Sequence, residues 1–599
     1  MKVSFASTEW IDSNADPLIR YDACLAMAKG YASSKKSDKM RLAHAKAFCA
    51  IAVESYWDAV CERNKASLPV KSVELDTPSL PVDVNKLASA AGRLISQFPV
   101  EDAGFLAGNI YTAMLPSSRR SALGAFYTPP PLVKRLIEMT EASGFNFATG
   151  NIIDPACGGG AFLVPLAQRI LDQLDSFEPA WKLRQLEMRL HGCEIDEFAA
   201  WIADVVLEAS VLPLCIVAKR RLSNVVTVED SLRTEATTEY DLVIGNPPYG
   251  RISLTKSMRA KYARSLFGHA NLYGLFTDLA LRLAKPRGFV AYVTPTSFLG
   301  GQYFKSLRQL LTSESLPISF DIVSDRNGVF DDVLQETILT VFHRSPEAEL
   351  TDKAVIVSAL VPQGLNSSRI EPIGNVPIKG SGDPWLLPRT ADDASFLHAI
   401  SKMPTRLSDI FYCVSTGPLV WNRHRDQLRT ERGADTFPLV WAESVSSDGF
   451  KFKAEKRNHV PFIAIKEKQP HLVTGDSCVL VQRTTSKEQG RRLVASVLPA
   501  SFIAEHGGAV VENHLNIVCA TKTTERPSIS VSTISTLLNT SAADRAFRCI
   551  SGSVAVSAYE LNALPLPSPI QIAELESRIE DGASREAVEL LVASYYGIN

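Results

Sequence analysis

Apolar residues in "RLAHAKAFCAIAVESYWDAVCERN" recur at helical spacing, placing Leu42, Ala45, Phe48, Ile51 and Ala52 on one stripe. Residues 1 to about 115 are helical on this pattern, divided by the Pro/Ser-rich stretch "SLPVKSVELDTPSLPVDV". From about 120 to 345 short apolar runs alternate with helical patterns, the texture of a mostly parallel α/β sheet. The runs predict strands at 150–154, 189–194, 225–229, 240–245, 288–294, 318–323 and 336–343. A helix over 271–284 buries Leu272, Phe276, Leu279, Ala280 and Leu283 on one face. Residues from about 350 to 565 mix short strands with loops, and a helical tail follows from about 570.

Composition narrows the class. The chain has 599 residues, 46% hydrophobic and 21% charged, with a net charge of −2, which is the profile of a globular protein with an ample core. The opening "MKVSFASTEWIDSN" lacks a signal-peptide design and no apolar run is long enough to cross a bilayer, so the expected location is cytoplasmic. Ten cysteines without a C-x-x-C pair indicate neither a zinc site nor a disulfide framework, and no metal is expected. Near-neutral charge leaves nucleic acid open as a partner, because a phosphate backbone responds to local charge.

Candidate chemistry begins at "NIIDPACGGGAFLVPLAQRI". Asp154 ends a strand, Gly158, Gly159 and Gly160 make the turn, and an amphipathic helix follows, as at the ligand crevice of a doubly wound sheet. The stretch lacks the G-K-[ST] ending of a phosphate loop, and Asp154 would repel a pyrophosphate. A carboxylate beside close backbone suits a ligand with cationic and amino-acid groups. The strand in "RLHGCEID" ends in Glu194, placed to accept from ribose hydroxyls. Asp230, in "VTVEDSL", ends the next strand and is placed to accept from an adenine amino group. Any one of these acids alone reads better as a solvated strand end; three at successive strand ends favour a binding site.

The run "DLVIGNPPYG" stops a buried strand in Asn246, Pro247, Pro248 and Tyr249. An exocyclic amino nitrogen on a nucleobase is a poor nucleophile because its lone pair is delocalised into the ring. Two acceptors, one for each N–H, draw that nitrogen toward tetrahedral geometry. Asn246 offers a side-chain carbonyl, and Pro247 a backbone carbonyl in a frame stiffened by both prolines. Tyr249 offers a ring face for stacking, and positioning then carries the catalysis without a base of tuned pKa.

"DPACGGGAFL", "GCEID", "VEDSL" and "IGNPPYG", preceded by "LGAFYTPPPLVKRLIEMT", resemble in order the motifs of the gamma-class (TaqI-like) adenine-N6 DNA methyltransferases of restriction–modification systems. The resemblance implies an S-adenosylmethionine cofactor held by Tyr127, Thr128, Asp154, Ala156, Gly158, Glu194, Ile195, Asp230, Asn246 and Pro248. It implies catalysis by Asn246, Pro247, Pro248 and Tyr249, with Phe330 in "DRNGVFDDVLQETILTVF" stacking on the opposite face of an extruded base. The implied fold is a Rossmann-like methyltransferase sheet over 116–350, after an N-terminal helical region 1–115. A mixed α+β target-recognition domain over 351–569 and a helical tail 570–599 complete it.

Duplex DNA is the implied partner, and no membrane is. The acid-free run "RISLTKSMRAKYAR" suggests phosphate contacts through Arg251, Lys256, Arg259, Lys261 and Arg264. Residues 421–468 carry ten Lys/Arg against seven Asp/Glu, interleaved with Trp421, Trp441 and Phe450, a mixture that fits groove contacts. The chain has no lysine two positions after Asp or Glu, so cleavage would belong to a separate cognate endonuclease. The rival reading is a protein glutamine-N5 or RNA amino-methyltransferase using the same N-P-P-Y chemistry. A glutamine methyltransferase would leave some 250 C-terminal residues without a purpose.

Overall fold

The computed structural model describes residues 15–123, 128–235, 237–323, 336–345, 354–364, 367–378, 382–484, 490–521, 529–550 and 555–598. The chain forms two compact units, Met1–Pro295 with Gln309–Glu371, and Thr296–Arg308 with Pro372–Asn599.

The first unit opens with helices α1 (Pro17–Ser33), α2 (Asp38–Arg63), α3 (Val82–Ile95), α4 (Ala103–Met114), α5 (Ser117–Leu123) and α6 (Pro130–Ala142). Asp16 and Ser37 cap α1 and α2 by accepting from the Leu18 and Met40 amides. Of the expected α2 stripe, Ala45, Phe48 and Ala52 are buried, while Leu42 and Ile51 are half-buried. The α/β part then runs β1 (Ile152–Asp154), α7 (Leu163–Asp172), α8 (Pro179–Arg189), β2 (Leu190–Glu194), α9 (Glu197–Ser210), α10 (Leu212–Ala218), β3 (Val226–Val228) and β4 (Tyr240–Gly245). A two-stranded ribbon of β5 (Arg251–Ile252) and β6 (Ala270–Asn271) brackets α11 (Lys256–Lys261). Helix α12 (Leu272–Leu283), β7 (Ala284–Pro295), β8 (Ser315–Val323), β9 (Thr337–Arg344), β10 (Ala354–Pro362) and β11 (Ser368–Pro377) follow.

The sheet order is β11-β10-β8-β9-β7-β4-β1-β2-β3. Strands β3, β2, β1, β4 and β7 pair in parallel in that order across the sheet, and β9 runs antiparallel to both β7 and β8. All seven expected strands are present. The sheet also continues past residue 350, because Val355, Val357 and Ala359 of β10 are buried in parallel register beside β8. Between β3 and β4 the chain changes direction across the sheet, so β1 and β4 flank a topological switch point.

The N-terminal helices belong to the same hydrophobic core as the sheet: Trp57, Leu106 and Tyr111 lie in one cluster with Phe162, Ile202, Leu242 and Val293. The Pro/Ser-rich stretch is pinned where the Trp201 indole of α9 donates to the Lys71 carbonyl at 2.8 Å. Burial of this one shared core is what joins the two sequence textures.

In the second unit, a four-stranded antiparallel sheet is built from Tyr412–Thr416, Leu515–Ala520, Cys478–Gln482 and Ala495–Leu498. A five-stranded sheet contains Thr436–Val440 and Phe462–Ala464, within the basic and aromatic stretch 421–468. Trp441 is core there, its indole donating to the Val460 carbonyl at 2.7 Å and its ring stacked on His459 at 3.8 Å. Residues 296–308 join this unit through Arg308, fully buried, whose guanidinium donates to the Gly382 and Asp383 carbonyls and to the Tyr559 hydroxyl. The helical tail packs as core too, with Tyr596 buried and bonded to the Pro565 carbonyl. Among the described residues no single helix is long and apolar enough to cross a membrane.

Candidate active site at the switch point of the sheet

The carboxyl ends of β1 and β4 open into one cavity. Asp154 ends β1 and is only 1% exposed. Its Oδ1 accepts from the Ala156 amide at 3.0 Å, and burial, reinforced by the neighbouring Glu194 carboxylate, pushes its carboxyl up to about 8. Beside it, Gly245 is glycine for want of space: a Cβ there would stand 2.5 Å from Asp154 Oδ1 and 2.9 Å from its Cγ. The residue before Asn246 is thus packed directly on the acid of β1.

Glycines shape the turn after β1. Gly158 and Gly160 have φ of 54° and 88°, a left-handed backbone that favours glycine. The Gly158 amide donates to Glu194 Oε2 at 2.9 Å, and the Asp196 amide to Glu194 Oε1 at 2.8 Å. Burial raises the Glu194 carboxyl while these amides oppose the shift. Ser231, after β3, donates to the Pro155 carbonyl at 2.7 Å and so joins the third strand end to the turn.

Asp154, Ala156, Gly158, Glu194, Ile195 and Asp230 all line this cavity, together with Thr128, Asn246 and Pro248. Ile195 stands 54% exposed, an apolar side chain of the wall left open to solvent. Asp230 is engaged locally, taking the Leu232 amide at 3.2 Å and pairing with Arg233 at 2.9 Å. Pro247 and Tyr249 are buried behind the lining. The Tyr249 hydroxyl donates to the Val293 carbonyl of β7 at 3.2 Å, which fixes the ring, and burial raises its pKa. Tyr127 and Phe330 lie outside the described residues.

Several lining residues were not singled out in the sequence. Tyr111, Thr112 and Leu115 come from the end of α4, and Leu272 and Phe276 from α12. The α12 pair was legible as a helical face, but as core. The α4 residues carried no signal, since neither spacing nor composition links a helix near position 110 to a turn near 158.

The basic run that follows Asn246–Tyr249 divides. Arg264 bonds the fully buried Asp278 at 2.7 Å and pairs with Glu314 at 2.6 Å. Lys261 Nζ donates to the Leu232 and Thr234 carbonyls at 3.0 and 2.7 Å, and Arg259 to the Gly268 carbonyl at 3.2 Å. Lys261 and Arg264, expected at phosphates, are engaged within the protein and tie α11 and its flank to the segment after β3 and to α12; Lys256 remains exposed.

The cavity thus gathers Asp154 at the end of β1, Glu194 at the end of β2, Asp230 just past β3 and the proline-framed Asn246 after β4. Residues 190–330 match the family model of the Eco57I restriction-modification methylases. The type II methyltransferase M.PstI of Providencia stuartii is 26% identical over 361 residues, covering 59% of this chain and 70% of that protein. M.BsuBI of Bacillus subtilis, also a type II methyltransferase, is 23% identical over 470 residues, covering 75% of this chain and 88% of that protein. The fold is that of the type IIL restriction-modification enzyme MmeI, solved in complex with DNA, with a TM-score of 0.51 at 15% identity over 97% of this chain and 93% of that one. These similarities are to methyltransferases of restriction–modification systems.

Proposed function

We propose that this chain methylates the N6 amino group of adenine at a specific site in duplex DNA, as a gamma-class enzyme using S-adenosylmethionine. The observation that carries the reading is the shared cavity: Asn246 and Pro248 line the same space as Asp154, Glu194 and Asp230. The relatives, which are restriction–modification methyltransferases, favour DNA over a glutamine or RNA substrate.

The residues present fit the cofactor. A buried carboxyl at Asp154 and a half-buried one at Glu194 suit a cationic ligand bearing ribose hydroxyls, the left-handed turn at Gly158 lets backbone approach it, and exposed Ile195 offers a face for its base. Thr128 and Tyr127 complete the amino-acid end on this reading. When bound, S-adenosylmethionine supplies an electrophilic methyl group on sulfur.

The chain's own residues do the rest. Asn246 Oδ1 and the Pro247 carbonyl accept the two N–H bonds of the amine and return its lone pair toward the methyl group. Pro248 restricts Pro247 to extended backbone, which holds that carbonyl in one direction. Tyr249, its ring fixed by the bond to Val293, stacks on the base, with Phe330 on the other face. Taking the adenine out of the duplex costs roughly a few kcal/mol. Phosphate and groove contacts from the part of residues 351–569 that follows β11, the target-recognition domain on this reading, offset that cost, and a separate endonuclease would cut unmodified sites.

Methylome sequencing of a host expressing the gene tests the proposal. N6-methyladenine at one recurring sequence, absent from the host without the gene, is expected. Methylation of cytosine alone, or no new DNA methylation from an active protein, contradicts it.

A further inference from the structure

Two buried threonines of this unit treat their hydroxyls as helices ordinarily do. Thr140 in α6 donates to the Leu136 carbonyl at 2.7 Å, and Thr277 in α12 to the Tyr273 carbonyl at 2.8 Å, each closing onto the residue four back. Thr112, near the end of α4, does not. It is 7% exposed, yet its Oγ1 has no hydrogen-bond partner among the described residues, and it lines the cavity of Asp154 and Glu194. A buried hydroxyl left unsatisfied is costly, and such groups ordinarily find a protein, water or ligand partner.

Helix α4 is held against the site at both ends. At its start Gly104 meets the glycine turn so closely that a Cβ would stand 2.6 Å from the Gly160 carbonyl oxygen. At its end the Tyr111 hydroxyl donates to the Asp196 carboxylate, with oxygens at 3.3 and 3.4 Å. Asp196 caps α9 by accepting from the Phe198 and Ala199 amides, and its own amide holds Glu194. The helix is therefore fixed in position over the turn and the β2 strand end, with Thr112 among the residues that line the cavity there.

We propose that α4 is a cofactor-binding element and that the Thr112 hydroxyl bonds S-adenosylmethionine directly. This rests on the reading of the cavity as the cofactor site. It gives the N-terminal helical region a role in binding as well as in the core.

The test uses the full chain, with S-adenosylhomocysteine as the probe in calorimetric titration, and thermal melting without ligand. Thr112→Val keeps the shape and removes the hydroxyl; Thr112→Ser keeps the hydroxyl. Thr112→Val should weaken binding about three- to tenfold, the worth of one hydrogen bond. Thr112→Ser should stay within about twofold of wild type. Without ligand, Thr112→Val should melt at or above the wild-type temperature, because no protein partner is lost. Wild-type affinity in Thr112→Val, or a ligand-free melting temperature lowered along with affinity, overturns the inference while leaving the cofactor site standing. Failure of the wild-type protein to bind the probe at all removes the cofactor reading itself, and the inference with it.

Discussion

Gly245→Ala probes the contact that couples the two halves of the site. The added methyl would begin 2.5 Å from Asp154 Oδ1 and 3.1 Å from Oδ2, so the carboxylate must retreat by about 0.9 Å to reach ordinary contact at 3.4 Å. It has little room, since Asp154 is 1% exposed and β1 is paired in register on both sides, to β2 and to β4. Retreat would also break the bond from the Ala156 amide at 3.0 Å. Overpacking costs about 1–3 kcal/mol and the lost bond about 1 kcal/mol. Distortion of the β1 acid should weaken S-adenosylhomocysteine at least tenfold, and the melting temperature should fall while far-ultraviolet circular dichroism stays native. Gly288→Ala, whose nearest neighbours would be the Tyr240 and Asp241 carbonyls of β4 and the Lys285 carbonyl of its own strand β7 at 2.9–3.2 Å, serves as the control for a crowded glycine away from the cavity. Binding of the probe by Gly245→Ala at wild-type affinity, or equal loss in both variants, would refute the coupling.

Other outcomes follow from the same geometry. Burial holds Asp154 protonated up to about pH 8, far above its ordinary value of 3.8, so the native state binds the extra proton. Its stabilising contribution is full below about pH 4 and is lost as pH rises through about 8; the melting-temperature difference between wild type and Asp154→Asn should therefore change in that window, and a constant difference would count against the shift. A cationic cofactor favours the ionised form, so binding S-adenosylmethionine at pH 7 should release up to about one proton, read from calorimetry in buffers of different ionisation enthalpy; no release would contradict it. Arg264→Met should cost on the order of 1–3 kcal/mol in denaturant unfolding by weakening the set around buried Asp278. Lys256→Ala should instead reduce the salt slope of DNA binding by about one, with little change in stability; the reverse pattern would restore the phosphate reading of Arg264.

Much of the fold was legible because buried parallel strands write themselves as short apolar runs, and the residues that end them line the cavity at the switch point. Asp154, Glu194 and Asn246 were found by that rule, at the ends of β1, β2 and β4. The reach of the sheet beyond residue 350 was not, since β10 opens on alternating exposed and buried residues like a peripheral strand before a run of buried ones. The fates of Lys261 and Arg264 were hidden for a different reason. Their partners are backbone carbonyls near 232–234 and an acid inside α12, so a stretch free of acids looked free of partners. Residues 296–308 follow β7 directly, and long-range ties that sequence does not show assign them to the second unit: the buried guanidinium of Arg308 reaches 382–383 and 559, and the Trp385 amide donates to the Leu299 carbonyl at 2.8 Å. Thr112 is the clearest omission, because a missing intrahelical bond leaves no mark in sequence.

The most direct measurement is mass spectrometry of nucleosides from duplex DNA incubated with methyl-labelled S-adenosylmethionine and either wild type or Asn246→Ala. The proline-framed pair of acceptors predicts labelled N6-methyladenine from the wild type and none from Asn246→Ala, with S-adenosylhomocysteine affinity in the variant within about threefold, since the hydrogen bond it removes is to substrate. Labelled N6-methyladenine from Asn246→Ala at the wild-type rate, or label found only in cytosine, RNA or protein, would contradict it.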